Sequence, residues 1–188
     1  MPAKARTSTE AVVAAGRAIV ERDGLDALTM LAVAEAVGVR GASLYKRVPG
    51  RAALLTLIAE QVALECVDEV ERAVRWTDPA QDLRDFAAAF RAFAHRNPAT
   101  YALLFDPGRG AVSPEVRERT AAPARRLAAA LAGPEHELDA ARLLTAWAHG
   151  FVTMELAGAF QLGGDVDEAW DFALDRLVAA LAVSTPRW

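Results

Sequence analysis

The chain is legible first at Leu28–Leu55, LTMLAVAEAVGVRGASLYKRVPGRAALL. Thr29 is placed to cap a helix, because its side-chain oxygen can accept a bond from an otherwise unpaired backbone N–H. Met30, Val33, Ala34 and Val37 then recur at helical spacing and predict one apolar face. Gly38 stands where that helix should stop, since glycine enters a left-handed C-terminal turn without steric cost. Val39 packs the turn. Residues Ala42 to Arg47 form a second short helix, with Leu44 inward and Ser43, Tyr45, Lys46 and Arg47 outward. Pro49–Gly50 ends it, and Arg51 opens a third helix.

Two short helices around a glycine turn, the second small at its start and basic at its end, suit a major groove. The stretch resembles the helix-turn-helix of the TetR (tetracycline-repressor-like) family of transcription regulators. The residues that carry the resemblance are Thr29, AEAVGV over 34–39, Ser43-Leu44-Tyr45 and Arg51-Ala52-Ala53-Leu54-Leu55. Arg47 stands where the family usually has histidine or tyrosine, and Val48 where phenylalanine is common. Gly41 leaves one family base-contact position without a side chain. A second segment, WAHGFVTMELAGAF from Trp147 to Phe160, resembles the C-terminal regulatory domain of the WHG-type subfamily.

Composition agrees with a helical chain. The 188 residues are 53% hydrophobic and 24% charged, and no stretch alternates with period two. No apolar run is long enough for a membrane span. The basic start MPAKARTSTE has no apolar segment after it, so no signal peptide is expected. One cysteine, Cys66, excludes an intramolecular disulfide and fits a cytoplasmic protein. The net charge of −4 alone argues against a nucleic-acid partner, but its distribution does not. Residues 1–51 hold eight Lys/Arg against five Asp/Glu, a net +3, which leaves −7 for the remainder. A basic head can face phosphate while an acidic body keeps the protein soluble.

The periodicity predicts an all-α chain of about nine helices. Residues 1–51 form the DNA-binding head, with the helix-turn-helix at about 29–48. Residues 52–188 form a body for effector binding and dimerisation. Met1–Arg6 reads as a disordered arm, and Thr7 as the cap of a first helix reaching Asp23. A connector runs from Arg51 to about Val74. A fifth helix starts at Asp78-Pro79 and breaks at Asn97-Pro98, followed by a short one through Phe105. DPGRGAV, 106–112, is a glycine-rich loop. Ser113-Pro114 opens the next helix, which Pro123 should kink or interrupt. Gly133-Pro134 is a break. A long helix follows over Glu135–Leu162, then a Gly163-Gly164 turn and a last helix to Ala182.

Lys46, Arg47 and Arg51 read as phosphate contacts, with the Tyr45 hydroxyl beside them. Arg40 and Ser43 are the candidate base readers, and Arg40 stays open between guanine and phosphate. Thr29, Gly41 and Ala42 complete the expected DNA-facing set. Phe90, Phe93, Tyr101, Phe105, Trp147, Phe151 and Met154 either line an apolar cavity or fill a solid core. Ala157, Gly158, Trp170, Ala173 and Leu177 fit a dimer interface made by the last two helices, and equally packing within one chain. His149 reads as a core histidine rather than a metal ligand and Cys66 as a buried thiol; Glu155 is either a buried carboxylate facing a ligand or a surface carboxylate, with the surface reading preferred. No catalytic, cofactor or metal motif occurs.

The resemblance implies a homodimeric regulator, more often a repressor, on a palindromic double-stranded DNA operator. It also implies an apolar or amphipathic small-molecule effector. The competing expectation is a constitutive DNA-binding protein with a solid body.

Overall fold

The computed structural model describes residues 8–105 and 112–182, and among them there are nine α-helices and no strand. The helices are α1 (Thr9–Asp23), α2 (Met30–Ala36), α3 (Gly41–Tyr45), α4 (Arg51–Ala73), α5 (Pro79–Arg96), α6 (Pro98–Tyr101), α7 (Pro114–Ala132), α8 (Glu137–Leu156) and α9 (Val166–Leu181). Short 3-10 turns precede α2, follow α6 and precede α8. The chain packs as two compact units. The first holds Met1–Leu64 and Asn97–Val116, the second Glu65–Arg96 and Arg117–Trp188. This division differs from the expected break at residue 51. The first part of α4 and all of α6 pack with the head, because their apolar residues are buried there rather than with the body.

In the first unit the helices stop and start where the side chains dictate. Ser8 caps α1, its hydroxyl accepting from the Ala11 amide at 3.2 Å. The expected cap, Thr7, lies outside the described residues, as do the arm and residues 106–111 of the glycine-rich loop. Thr29 caps α2 through the Ala32 amide at 3.1 Å. Gly38, at φ +70°, turns the chain left-handed after α2. Its amide donates to the Glu35 carbonyl, and that of Val39 to Ala34. Leu28, Val33, Leu44, Val48, Leu54 and Ile58 are all at most 1% exposed. Each such burial contributes about 1.5–3 kcal/mol, which is what holds helices as short as α2 and α3 in place.

The second unit is built from the end of α4, α5, most of α7, α8 and α9. Small residues Ala128, Ala132, Ala140 and Ala141 form one buried cluster against Leu181. Pro123 does not interrupt α7, which is continuous from Pro114 to Ala132. Its ring is buried, which offsets the hydrogen bond it cannot donate. Helix α8 stops six residues earlier than its apolar pattern suggests. Gly158 takes φ +62°, and the amides of Gly158 and Ala159 donate to Glu155 and Met154 carbonyls. That closure satisfies the last carbonyls and ends the helix. Asp165 then caps α9 through the Asp167 amide at 2.7 Å.

Candidate nucleic-acid interface

Helix α3 is one short element held by two buried anchors. Leu44 is 1% exposed and Val48 is 0%. Around Leu44, residues Gly41, Ala42, Ser43, Tyr45, Lys46 and Arg47 are all exposed. Arg40 is the cap residue of α3, extended at φ −75° and ψ 144°, and its side chain makes no capping bond. The helix thus offers its small, polar N-terminal end and its basic C-terminal end on one outward surface. Among the described residues, Arg40, Lys46 and Arg47 form no ion pair. Elsewhere arginines are taken up by carboxylates, as in Arg84 with Asp175 at 2.7 Å and Arg119 with Asp68 at 2.7 Å. Arg47 exerts a weaker, longer-range pull on the Glu10 carboxyl, which the Ser8 hydroxyl chiefly holds below its usual range.

Two members of the expected DNA-facing set have internal partners. Thr29 is the α2 cap described above. Arg51 is not a free cation: its Nε donates to the Leu28 carbonyl and its Nη2 to the Leu25 carbonyl, each at 2.8 Å.

The expected effector residues fall into two groups. Tyr101 and Phe105 belong to the first unit, their ring centroids 5.6 Å apart. In the second unit Trp147 lies 6.2 Å from Phe151 and 4.6 Å from Trp170. Phe151 also meets Phe160 at 4.8 Å. Phe93 is fully buried, Phe90 half-buried, and Met154 46% exposed.

This aromatic group corrects one dimer assignment. Trp170 is 3% exposed within its own chain, so its ring is core and is not available to a partner. Gly158 is the α8 stop, with Ala157 beside it, both exposed. Ala173 and Leu177 are half-buried. Besides Met154, the large apolar side chains that stand out from α8 and α9 are Leu138, Leu143 and Phe172, at 51%, 47% and 65% exposure. Sequence reasoning missed these three because it favoured small residues as the mark of helix approach.

Glu155 is the other correction. It lies in a polar cluster, not on the open surface, with its side chain 15% exposed. Arg91 bonds it through Nε–Oε2 at 2.9 Å and through a second bond from Nη2 to Oε1. His95 Nε2 lies 3.0 Å from Oε2. Arg91 also pairs with Asp167 at 2.6 Å and sits 5.0 Å over the Trp170 ring. The Arg91 bonds hold the Glu155 carboxyl below the usual range, and Glu155 in turn pushes Arg91 upward. The i, i+4 spacing of Arg91 and His95 on α5 was the available signal.

His149 is half-buried, its Nδ1 3.4 Å from Thr153 Oγ1, and burial pushes its pKa down. Cys66 is buried, and burial pushes its thiol up to about 12, far from a nucleophile. No trio of His, Cys, Asp or Glu among the described residues could hold a metal ion. None of their helices is long and apolar enough to cross a membrane.

A helix-turn-helix with an exposed basic second helix, on an all-helical body, defines a transcription regulator of the DNA-binding class. Residues 83–177 match the family described as tetracyclin repressor-like, C-terminal domain. The chain is 29% identical over 189 residues to an uncharacterized HTH-type transcriptional regulator (Rv0681) of Mycobacterium tuberculosis, covering 97% of this chain and 84% of the relative. A Rhodococcus protein of unknown function is similar in structure, with TM-score 0.78, 28% identity and coverage of 93% and 95% of the two chains. A TetR variant from Acinetobacter baumannii, solved in complex with minocycline, has TM-score 0.67 and 25% identity, with coverage of 90% and 93%. The chain belongs to the tetracyclin-repressor-like family of transcriptional regulators, which are not enzymes.

Proposed function

We propose that this regulator is a cytoplasmic homodimer that binds a palindromic operator and represses transcription until a small effector binds the body. The exposed residues of and around α3, where Arg40, Lys46 and Arg47 have no carboxylate partner among the described residues, support the DNA-binding half of this reading most directly. Lys46 and Arg47 neutralise phosphates; Ser43, at the N-terminal end of α3, addresses a base edge, and Arg40 beside it meets either a guanine or a phosphate. One head makes few contacts, so specific binding needs two heads held at a fixed spacing. The exposed Leu138, Leu143 and Phe172 give α8 and α9 a surface suited to a second copy.

The effector is apolar or amphipathic and meets aromatic side chains such as Trp147 and Phe151. Minocycline, held by the similar Acinetobacter protein, has that character. An effector releases DNA only if it prefers the head spacing that misfits the operator. A coupling of about 1–3 kcal/mol gives roughly 5–150-fold release. The full burial of Phe93 and Tyr101 favours a second reading, a regulator with a solid body and no effector. Selection of duplexes from a randomised pool, followed by titration with amphipathic aromatic compounds, tests both. A palindromic consensus and compound-induced release support the first reading. A consensus without release by any compound supports the second, and absence of any selected sequence contradicts both.

A further inference from the structure

One side chain closes the helix-turn-helix at both ends. The segment that carries α2 and α3 begins after Leu28 and ends at Gly50. Arg51, the first residue of α4, reaches back across it. Its Nε donates to the Leu28 carbonyl and its Nη2 to the Leu25 carbonyl, both at 2.8 Å. The Leu25 carbonyl already accepts the Leu28 amide at 3.2 Å, so Arg51 fills its second lone pair. Leu28 itself is fully buried, and the next residue is the α2 cap, Thr29.

We propose that Arg51 is a positioning residue for DNA recognition: its guanidinium fork sets the start of α2 relative to the start of α4 and so fixes how α3 is presented. This rests on reading the head as the DNA-binding surface. It gives Arg51 a different role from Lys46 and Arg47, whose charges are free to meet phosphate. A planar fork spans two carbonyls; a lysine ammonium is a compact point charge that serves phosphate equally well but cannot reproduce that geometry. The two roles therefore separate on Arg51→Lys.

Full-length wild type, Arg51→Lys and Arg51→Ala are titrated, at several salt concentrations, onto a duplex selected by wild type from a randomised pool and onto a scrambled duplex. Positioning predicts that lysine does not rescue. Both variants lose about tenfold or more on the selected duplex, change little on the scrambled one, and keep the wild-type salt slope. A phosphate contact predicts a wild-type-like Arg51→Lys and, in a dimer, a slope flatter by about two for Arg51→Ala; that result overturns the proposal.

Amide exchange supplies a readout without DNA. Faster exchange confined to the Leu28, Ala32 and Val33 amides, which donate to the Leu25 carbonyl, the Thr29 hydroxyl and the Thr29 carbonyl, supports the clamp when seen in both variants. Wild-type protection there overturns it, and so does loss of protection throughout α1, which would make Arg51 a residue of general stability. If wild type itself selects no duplex, the reading of the head falls and the positioning role with it, a failure distinct from any behaviour of the variants.

Discussion

Glu21 on α1 accepts hydrogen bonds from both the amide and the hydroxyl of Thr100, on α6, with the amide contact at 3.1 Å. The second carboxylate oxygen takes the Ala99 amide at 3.2 Å. Four residues earlier on α1, Arg17 Nη2 donates to Asn97 Oδ1 at 2.8 Å. Residues 79 positions apart are thereby joined, and Thr100 is fully buried at the junction. The chain that follows α5 is fastened to the first helix of the DNA head.

Thr100→Val keeps the shape and removes the hydroxyl. The loss of one charge-assisted bond in a buried site is expected to lower unfolding stability by about 1–3 kcal/mol. Urea denaturation of the two proteins measures it. A change within error would mean the contact contributes nothing.

Base reading and charge neutralisation separate by salt. Ser43→Ala is expected to weaken binding to the selected duplex more than to a scrambled one and to leave the salt slope unchanged. If Arg40 bonds a guanine, Arg40→Ala relaxes one symmetric pair of positions at about 1–3 kcal/mol per half-site. If it meets phosphate, it weakens both duplexes alike. Titrations on single-position duplex variants distinguish the outcomes.

For assembly, Phe172 is a better probe than any residue chosen for smallness. It is 65% exposed, so Phe172→Glu leaves the chain's own core intact. Sedimentation should show the dimer shifting to monomer with helicity retained. Trp170→Ala, by contrast, empties a core site and is expected to cost about 3–5 kcal/mol in stability. A dimer that survives Phe172→Glu unchanged would move the interface away from that part of α9.

Local spacing carried most of the fold. The Met30–Val37 periodicity, Gly38, Leu44 and the Pro49–Gly50 break lie within one short stretch, and the structure has helices where they suggest. What escaped was non-local or opposed by periodicity. The partners of Arg51 are backbone carbonyls, which no side-chain pattern displays. Glu155 meets Arg91 across 64 residues, and Glu21 meets Thr100 across 79. Apolar residues continue past Leu156 to Phe160 and Leu162, and that periodicity hides the left-handed stop at Gly158. For Trp170, helical spacing shows a stripe but not which neighbour covers it, and the cover is Trp147 and Phe151 of the same chain.

The Glu155 cluster predicts a pH dependence. Its carboxyl is held below the ordinary value of 4.5, first by the Arg91 bonds. A depressed folded pKa stabilises the fold above the unfolded carboxylate's pKa, and the contribution is lost as pH falls through the folded value. Glu155→Gln should therefore be less stable than wild type near neutral pH, with the gap closing below about pH 4.5. Chemical denaturation at pH values from 7 down to 3 measures the gap. A gap that does not change with pH would show that the cluster stabilises by packing alone.

The central claim is that the exposed basic end of α3 holds the protein on DNA, and charge reversal there tests it most directly. Lys46 and Arg47 are exposed, so Lys46→Glu/Arg47→Glu should leave the melting temperature and the dimer unchanged. Anisotropy titration on the duplex selected by wild type is predicted to show binding lost by at least about a hundredfold, on selected and scrambled DNA alike. Wild-type affinity in the doubly reversed protein would contradict the account and move the DNA surface elsewhere on the molecule.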